Sequence, residues 1–207
     1  MTEAEAREAV AKHVSRETLD RLDTYRELLL KWQKTVNLVS PASTDEIWSR
    51  HFLDSLQLVR ALDDIPLRWA DLGSGGGFPG LVCAIALAER GETQFHLVES
   101  DTRKCAFLRQ VLQETSISVS VENARAETLP PIRADIVSAR ALAPLPRLLP
   151  LVHRHVAPQG IALLQKGARH AEELELARVD WQMEVDIVTS VTATDAVILR
   201  LRNLAHA

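Results

Sequence analysis

The residue pattern with the clearest chemical meaning is a glycine-rich loop, Asp-Leu-Gly-Ser-Gly-Gly-Gly-Phe-Pro-Gly, at residues 71–80. An apolar stretch precedes this loop, and a helical pattern from Leu81 to Ala88 follows it. Because glycine adopts backbone conformations that other residues avoid, such a loop lets a ligand lie directly against the main chain. A strand, a glycine turn and a helix in this order predict a site for a nucleotide-like ligand. A tight turn without a ligand is the alternative.

The residues around the loop distinguish three classes of ligand. A phosphate-binding P-loop ends in Gly-Lys-Ser/Thr, but the first lysine after this loop is Lys104. The dinucleotide pattern G-x-G-x-x-G fits from Gly75, but it then puts Pro79, which has no amide proton, where helix amides would face a pyrophosphate. S-adenosylmethionine is bound by D-x-G-x-G-x-G, a pattern supplied here by Asp71, Gly73, Gly75 and Gly77. We therefore predict S-adenosylmethionine as the cofactor.

Acidic residues at strand ends are expected to hold this cofactor. Asp71 can accept hydrogen bonds from loop amides and face the positively charged amino-acid end of the cofactor. Glu99 ends a short apolar strand at about the distance from the glycine turn where a ribose-binding acid is expected. Its two oxygens can bind both ribose hydroxyls, although a solvated acid is the alternative. A third strand, Ser118–Val121, leads to Ala126 and Glu127, which we expect at the adenine edge.

Two further strands lead to basic residues. The strand Ala134–Ser138 runs toward Arg140, and the strand Gly160–Leu164 runs toward Lys166. Ligands of open α/β sheets bind at the carboxyl edge of the strands. We therefore expect Arg140 and Lys166 to meet the substrate.

The elements that must position these residues form an α/β fold. The pattern of residues 65–207 predicts seven strands with interleaved helices, which form a Rossmann-like, doubly wound sheet. A hairpin of Trp181–Val188 and Ala196–Leu201 is expected to close this sheet. Residues 1–64 are predicted to be an N-terminal helical extension, with a long second helix and a third from near Thr44 to about Leu62. The extension is expected to pack on the core as one compact domain.

Composition limits the class of protein. A chain of 207 residues with 46% hydrophobic content can bury one good core. The sequence shows neither a leader nor a long apolar stretch, so we expect a cytoplasmic protein with no membrane partner. Cys83 and Cys105 fall in predicted helices, and we interpret them as reduced core thiols and expect no metal site. No obligate protein partner is evident.

Charge is unevenly distributed along the chain. The formal net charge of -4 argues against a general nucleic-acid binder. The stretch from Arg133 to His170, however, contains six arginines and lysines against the single acid Asp135. Such a basic face predicts a polyanionic substrate, and a solvated surface with an excess of arginine is the alternative. The candidate substrate-binding residues are Arg147, Arg154, Lys166 and His51.

The third predicted helix carries His51, Asp54 and Ser55 on one face. A hydrolase triad is disfavoured because the chain has no G-x-S-x-G elbow and the three residues are too close in sequence to converge across a cleft. We expect them to tie this helix to the cofactor loop or to line the substrate entrance.

With these residues in view, the chain resembles the bacterial small-subunit ribosomal RNA guanine-N7 methyltransferase family, often called RsmG or GidB. Asn37-Leu38 and the stretch Arg50–Leu56 are similar to its N-terminal signature, and residues 71–80 are similar to its glycine loop. Similar features follow at Leu97–Ser100, Lys104, Phe107-Leu108 and Lys166-Gly167. Val39-Ser40 and Ala139 depart from the family pattern, which often has threonine after Asn-Leu and usually has serine before the Arg-Ala pair.

The resemblance implies a fold, a reaction and site residues. It implies a class I S-adenosylmethionine-dependent methyltransferase that acts on 16S ribosomal RNA or the small ribosomal subunit, with guanine 527 as the acceptor. It also implies cofactor contacts at Gly73, Phe78, Ala126, Glu127 and Arg140.

The residues themselves limit the methyl acceptor. Exocyclic amines are usually methylated beside an Asn/Asp-Pro-Pro-Tyr motif, and this chain has Ser138–Ala141 there. Methylation at pyrimidine C5 needs a cysteine nucleophile, but both cysteines fall in helices. Ribose hydroxyls need a base, and apart from Lys166 no lysine-rich group offers one. Guanine N7 has an exposed lone pair, so catalysis by positioning is sufficient, with Arg140 as the positioning group and no general base expected.

Two other classes of function stay open on this sequence. One is a methyltransferase that acts on another acceptor, a ribose or a small molecule. The other is a non-catalytic RNA-binding assembly factor with the same fold. Such a factor would not need Asp71 and Glu99, so the presence of both acids favours the enzyme.

Overall fold

The computed structural model describes all 207 residues, and a seven-stranded sheet forms its centre. The strands are β1 (Arg68–Leu72), β2 (Gln94–Glu99), β3 (Ser120–Asn123), β4 (Ala134–Arg140), β5 (Val156–Lys166), β6 (Trp181–Thr189) and β7 (Val197–His206). Their order is β3-β2-β1-β4-β5-β7-β6, with β7 antiparallel to both of its neighbours and the other pairs parallel. The strand order reverses between β1 and β4, which is where ligands bind in such sheets.

Helices cover both faces of this sheet. The helices that connect the strands are α4 (Gly80–Leu87), α5 (Thr102–Thr115), α6 (Leu145–His155) and α7 (His170–Ala177). One hydrophobic cluster contains α4 and α5, and a second one contains α6 and α7. The prediction of a Rossmann-like, doubly wound, seven-stranded sheet is therefore confirmed.

Several strands differ from their predicted bounds. β3 begins at Ser120, two residues later than expected, while β4 and β5 extend to Arg140 and Lys166. The extension follows from pairing, because Arg140 lies opposite Gln165 and Lys166 lies opposite Val197 on neighbouring strands. The two basic residues are thus held by the sheet itself, rather than by the loops that follow it.

The N-terminal region contains α1 (Glu3–Ala11), α2 (Arg16–Gln33) and α3 (Asp54–Arg60). The continuous helix expected from near Thr44 is wrong. A 3₁₀ turn at Pro41–Ser43 is followed by a π-helical segment, Trp48–Leu53, that leads into α3. The segment is capped from a distance: the Glu3 carboxylate accepts hydrogen bonds from the backbone N–H of Trp48 (2.9 Å) and Ser49 (3.0 Å). No local sequence pattern indicates a cap from the other end of the region.

The N-terminal helices share a hydrophobic cluster with α4 and α5, the helices on one face of the sheet. Tyr25 and Leu29 of α2 belong to the same buried cluster as Leu81 of α4 and Phe107 of α5. All eight residues of α4 are buried, because α2 and α3 cover the side of α4 that faces away from the sheet. The buried Tyr25 hydroxyl also donates a hydrogen bond to the carbonyl oxygen of Gly76, so α2 supports the glycine loop directly. None of the helices has the length and apolar character to cross a membrane.

Candidate active site

The glycine loop turns sharply at the carboxyl end of β1. Gly73 has a φ of +69° and Gly77 a φ of +94°, which side chains other than glycine rarely allow. The backbone N–H groups of Gly73 and Ser74 donate to the Val98 carbonyl oxygen at 2.9 and 3.0 Å. A Cβ atom on Gly73 would lie only 2.6 Å from Cδ1 of Leu142. The loop is therefore folded against β2 on one side and against the segment after β4 on the other.

A cavity of about 290 Å³ lies beside this loop. Its walls combine backbone, acidic and apolar groups, a composition that suits an adenosine and a short polar tail. Its lining includes Gly73, Gly75, Val98, Glu99, Lys104, Ala126, Glu127, Ala141, Leu142 and Leu151. We refer to it as the cofactor cavity.

Glu99 links the cofactor cavity to the loop. One carboxylate oxygen accepts a hydrogen bond from the Gly75 N–H (2.9 Å), and the other accepts one from the Asp101 N–H (2.8 Å). The side chain is nearly buried, and its orientation is therefore fixed before any ligand binds. A carboxylate oxygen can accept more than one hydrogen bond, so both oxygens can still bind ribose hydroxyls.

Asp71 does not face this cavity. It is completely buried beneath the loop, where Oδ1 accepts a hydrogen bond from the Ser138 hydroxyl at 2.6 Å, and that hydroxyl accepts one from the Trp69 indole at 2.8 Å. Burial raises the pKa of Asp71, although the hydrogen bonds from Ser138 and Ser74 oppose this. The predicted contact of Asp71 with the amino-acid end of the cofactor is therefore wrong: this carboxylate supports β1 and β4 below the loop.

A second, larger cavity of about 790 Å³ continues from the cofactor cavity. The two share Gly73, Gly75, Lys104, Ala141 and Leu142, which form the boundary between them. The larger space is bordered by the loop after β4, the π-helical segment and the turn between β6 and β7. Because it adjoins the cofactor cavity, we refer to it as the acceptor cavity.

Arg140 lies in the acceptor cavity within a cluster of polar and aromatic groups. Its Nη1 donates to the Arg50 carbonyl oxygen (3.0 Å) and to the Asp54 carboxylate (3.3 Å), and its Nη2 donates to Nδ1 of His51 (2.9 Å). The guanidinium lies over the Phe78 ring, 5.0 Å from its centroid. Asp54 supplies the opposite charge that a largely buried arginine requires.

The hydrogen bonds of His51 determine its protonation. Arg140 can only donate, so Nδ1 of His51 must accept, and the ring proton lies on Nε2, which donates to the Ser43 hydroxyl at 3.0 Å. Burial, aided by the charges of Arg140 and Arg50, lowers the pKa of His51 to about 3. His51 is therefore neutral, and its one lone pair is occupied by Arg140.

Phe78 is enclosed by other aromatic groups. Its ring stacks on Tyr25, with centroids 5.5 Å apart and planes inclined by 12°, and on His51, with centroids 4.7 Å apart. Phe78 and Arg140 border the acceptor cavity but not the cofactor cavity. Both therefore line the space next to the cofactor cavity, and the cofactor contacts that the resemblance implied for them stay predictions.

Comparisons with known proteins identify the family of this chain. The family model for GidB, described as rRNA small subunit methyltransferase G, matches residues 18–202. This chain belongs to the GidB family.

Individual GidB relatives match over nearly their whole length. A ribosomal RNA small subunit methyltransferase G from Cereibacter sphaeroides is 52% identical over 93% of this chain and 94% of the relative. A protein of the same name from Jannaschia sp. is 44% identical over 100% of this chain and 98% of the relative.

Solved structures with low sequence identity share the fold of this GidB-family chain. A SAM-dependent methyltransferase from Aquifex aeolicus has a TM-score of 0.58 at 13% identity, over 80% of this chain and 94% of that one. TYW2 from P. horikoshii, in complex with MeSAdo, also has a TM-score of 0.58, at 14% identity, over 82% of this chain and 65% of that one. These likenesses concern the class I methyltransferase fold alone.

Sequence reasoning missed how central Asp54 is to this GidB-family site. Its two carboxylate oxygens accept hydrogen bonds from five side chains on four parts of the chain. The donors are Arg140 (3.3 Å), Gln165 (2.6 Å), Gln57 (3.1 Å), Thr192 (2.9 Å) and Ser190 (3.4 Å). The only local signal was that Asp54 follows His51 by three residues. Ser55, the third member of that face, is buried away from the cavity.

The predicted substrate-binding residues at the carboxyl edge have different surroundings. Lys166 is nearly buried, and its Nζ donates to the Ala143 carbonyl oxygen (2.8 Å) and the Glu173 carboxylate (2.9 Å). It therefore fixes the loop after β4 to α7. Arg147 is exposed in the first turn of α6, so its charge faces solvent.

The single basic face predicted from Arg133 onward was wrong. Arg133 precedes β4 and Arg140 ends it, and the two ends of a strand of this length are about 20 Å apart. Arg154 donates from Nε and Nη2 to the Leu129 carbonyl oxygen at 3.0 and 2.9 Å. Together with Arg133 it lines a separate depression of about 440 Å³.

Two unpaired cations border the acceptor cavity: Lys104, which sequence reasoning did not assign to the site, and Arg169, one of the six cations of the predicted basic stretch. Lys104, in the first turn of α5, borders both cavities, and Arg169 precedes α7. Their acidic neighbours are engaged elsewhere, because Asp101 pairs with Arg103 and Glu173 pairs with Lys166. Both cations are therefore available to an anionic ligand.

Proposed function

We propose that this protein transfers the methyl group of S-adenosylmethionine to N7 of a guanine in 16S ribosomal RNA, at guanine 527 if the family substrate carries over. The curated relatives bear the name ribosomal RNA small subunit methyltransferase G. The observation that carries the N7 assignment is that no side chain of the Arg140 cluster has a lone pair free to remove a proton from the acceptor.

The cofactor cavity fits S-adenosylmethionine. Val98, Ala126 and Leu151 give it an apolar part for adenine, and Glu99 offers two fixed acceptors for the ribose. Gly73 and Gly75 line the cavity without side chains of their own, so their backbone can lie close to the methionyl part. When bound, the cofactor supplies a methyl group on a sulfonium, whose carbon–sulfur bond breaks as the acceptor's lone pair forms the new bond.

The histidine and the two carboxylates that border the acceptor cavity are all engaged. Arg140 occupies the lone pair of His51, five side-chain donors surround Asp54, and Lys166 and the Leu145 N–H bind the Glu173 carboxylate. A ribose hydroxyl or an exocyclic amine must lose a proton during methylation, whereas guanine N7 does not. A site whose histidine and carboxylates are all engaged is therefore suited to N7.

An RNA substrate accords with the cations on this side of the molecule. Lys104 and Arg169 are unpaired at the acceptor cavity, and Arg147 is exposed nearby on α6. Phosphate contacts of this kind provide sequence-independent affinity that depends strongly on salt. A local group of cations lets a chain of net charge -4 bind RNA on one side without binding it generally.

The test is to incubate the protein with radiolabelled S-adenosylmethionine and small subunits from cells that lack the modification. The RNA is then reduced with borohydride and treated with aniline, which breaks the strand only where N7 is alkylated. We expect incorporation of label and one aniline-sensitive break. Incorporation of label without a strand break would mean that an atom other than N7 accepts the methyl group. No incorporation into any subunit or RNA would favour the non-catalytic assembly factor.

A further inference from the structure

The hydrogen bonds of Arg140 leave a defined part of its guanidinium free. Of its five N–H groups, both on Nη1 and one on Nη2 are used by the Arg50 carbonyl, Asp54 and His51. The Nε–H and the second Nη2–H have no partner. Because the group is held by three acceptors and lies over Phe78, these two donors have a fixed position in the acceptor cavity.

The location of Arg140 relative to the cofactor cavity is also fixed. The next two residues, Ala141 and Leu142, form part of the boundary between the two cavities, and Leu142 lies against Gly73. Arg140 therefore stands on the acceptor side of the boundary, two residues from the point where the cavities meet. An acceptor base in the acceptor cavity at this boundary therefore lies on the same side of the boundary as the guanidinium.

The cluster balances charge in a way that suits a cationic product. Methylation at N7 leaves a positive charge on the guanine ring, which an isolated arginine would repel. Here the Asp54 carboxylate neutralises Arg140, and His51 is uncharged, so the three groups together carry no net charge. Arg140 can then donate hydrogen bonds to the base without opposing the reaction electrostatically.

We propose that the free N–H groups of Arg140 bind O6 of the target guanine and thereby select guanine over adenine. The inference rests on the proposed N7 chemistry. The major-groove edge of guanine has two acceptors, N7 and O6, and N7 must keep its lone pair for the methyl group, which leaves O6 for the arginine. Adenine carries an amino donor in place of O6, and this donor would face the donors of Arg140.

The experiment compares three bases at the target position in reconstituted small subunits. Guanine is the reference, and inosine keeps O6 and N7 but lacks the 2-amino group. 2-Aminopurine keeps N7 and the 2-amino group but has hydrogen in place of O6. Methyl incorporation from labelled cofactor gives kcat/KM for each. We expect inosine to stay near guanine and 2-aminopurine to fall about 10- to 100-fold, the usual effect of losing a hydrogen bond to a charged group.

The variant Arg140→Ala connects this selectivity to the arginine. This variant should lower the kcat/KM for guanine to the value for 2-aminopurine, so that the ratio of the two kcat/KM values approaches one. Arg169→Ala is the matched control, because it removes an arginine from the same cavity and should lower both substrates equally. Cofactor binding by calorimetry, unchanged in Arg140→Ala, verifies that the variant is folded.

The outcomes separate this inference from the proposed function. Equal methylation of 2-aminopurine and guanine by the wild type, or undiminished selectivity in Arg140→Ala, would overturn the O6 contact and leave N7 methylation standing. Failure of the wild type to produce N7-methylguanine would instead refute the proposed function. If Arg140→Ala lowers kcat/KM by the same factor for guanine and for 2-aminopurine, Arg140 contacts a phosphate rather than O6. That result would also overturn the inference.

Discussion

At the scale of single residues, the two acids at strand ends differ in what they contact. Glu99 borders the cofactor cavity and is oriented by two backbone N–H groups, whereas Asp71 is buried below the loop. Both acids stand at strand ends in the sequence, and only the direction of the side chain distinguishes them. A strand alternates its side chains between two faces, so a strand-end acid can equally face the cavity or the core.

Glu99→Ala should weaken cofactor binding about 10- to 100-fold, because it removes both ribose acceptors and the group that orients the Gly75 N–H. Calorimetry with S-adenosylmethionine measures the change. Glu122→Ala is a suitable control, since Glu122 contacts His96 on the surface and borders neither cavity. Unchanged affinity in a folded Glu99→Ala protein would mean that the cofactor binds elsewhere.

At the scale of elements, the N-terminal helices are part of the site. Tyr25 of α2 holds Gly76 through its hydroxyl and stacks on Phe78, which in turn contacts His51 and Arg140. The π-helical segment and α3 bring His51 and Asp54 to the end of β4. The extension therefore positions groups on both sides of the boundary between the cavities.

Tyr25→Phe tests this support, since it keeps the stacked ring and removes only the hydroxyl. The Gly76 carbonyl would lose a buried partner, so the free energy of unfolding should fall by about 1–3 kcal/mol. Cofactor affinity should also decrease, because the loop loses its support from α2. Urea denaturation and calorimetry provide the two measurements, with Glu27→Ala on the exposed side of α2 as the control. A stability loss without any change in cofactor affinity would limit Tyr25 to a packing role.

At the scale of the whole molecule, the proposed function predicts that RNA binds on the side where unpaired cations border the acceptor cavity. Lys104 and Arg169 border the acceptor cavity, whereas Arg133 and Arg154 line a separate depression. Lys104→Ala should weaken RNA binding and reduce the slope of its salt dependence by about one ion. Arg154→Ala removes one positive charge at the separate depression instead. It should change the RNA affinity and its salt dependence less than Lys104→Ala does. Binding titrations over a range of salt concentrations compare them, and an equal effect of both variants would contradict the one-sided model.

Acid should destabilise the fold through its buried neutral histidines. His51 has a pKa of about 3 in the folded protein against an ordinary value of 6.5. Burial also lowers the pKa of His155, whose Nδ1 accepts the Ile132 N–H. Because the unfolded chain binds these protons more readily, the contribution of His51 is complete above pH 6.5 and is lost as the pH falls toward 3.

At pH 5 the lowered pKa of His51 should reduce the free energy of unfolding by about 2 kcal/mol. His51→Phe keeps a ring on Phe78 but cannot titrate, so its stability should depend less steeply on pH than that of the wild type. Denaturant unfolding between pH 5 and pH 8 gives the difference. Parallel curves for the two proteins would show that His51 is protonated to the same extent when folded and unfolded.

The sequence by itself determined the sheet, the cofactor loop and the family. The glycine pattern after β1, the acid at the end of β2 and the alternation of strands and helices are local features, since each follows from neighbouring residues and their spacing. They were sufficient to predict the doubly wound fold, Glu99 as an acid at the cofactor cavity, and Arg140 and Lys166 at the carboxyl edge.

Only the tertiary structure decided what those side chains contact. Asp71 turns inward, Lys166 is tied to Glu173, and Arg154 lies apart from the acceptor cavity. Four of the five donors of Asp54, and the cap that Glu3 provides for the π-helical segment, join residues far apart in sequence. Such contacts depend on how the elements pack, because a local sequence pattern is compatible with several partners for a polar side chain. Burial and long-range hydrogen bonds in the folded chain determine which partner it contacts.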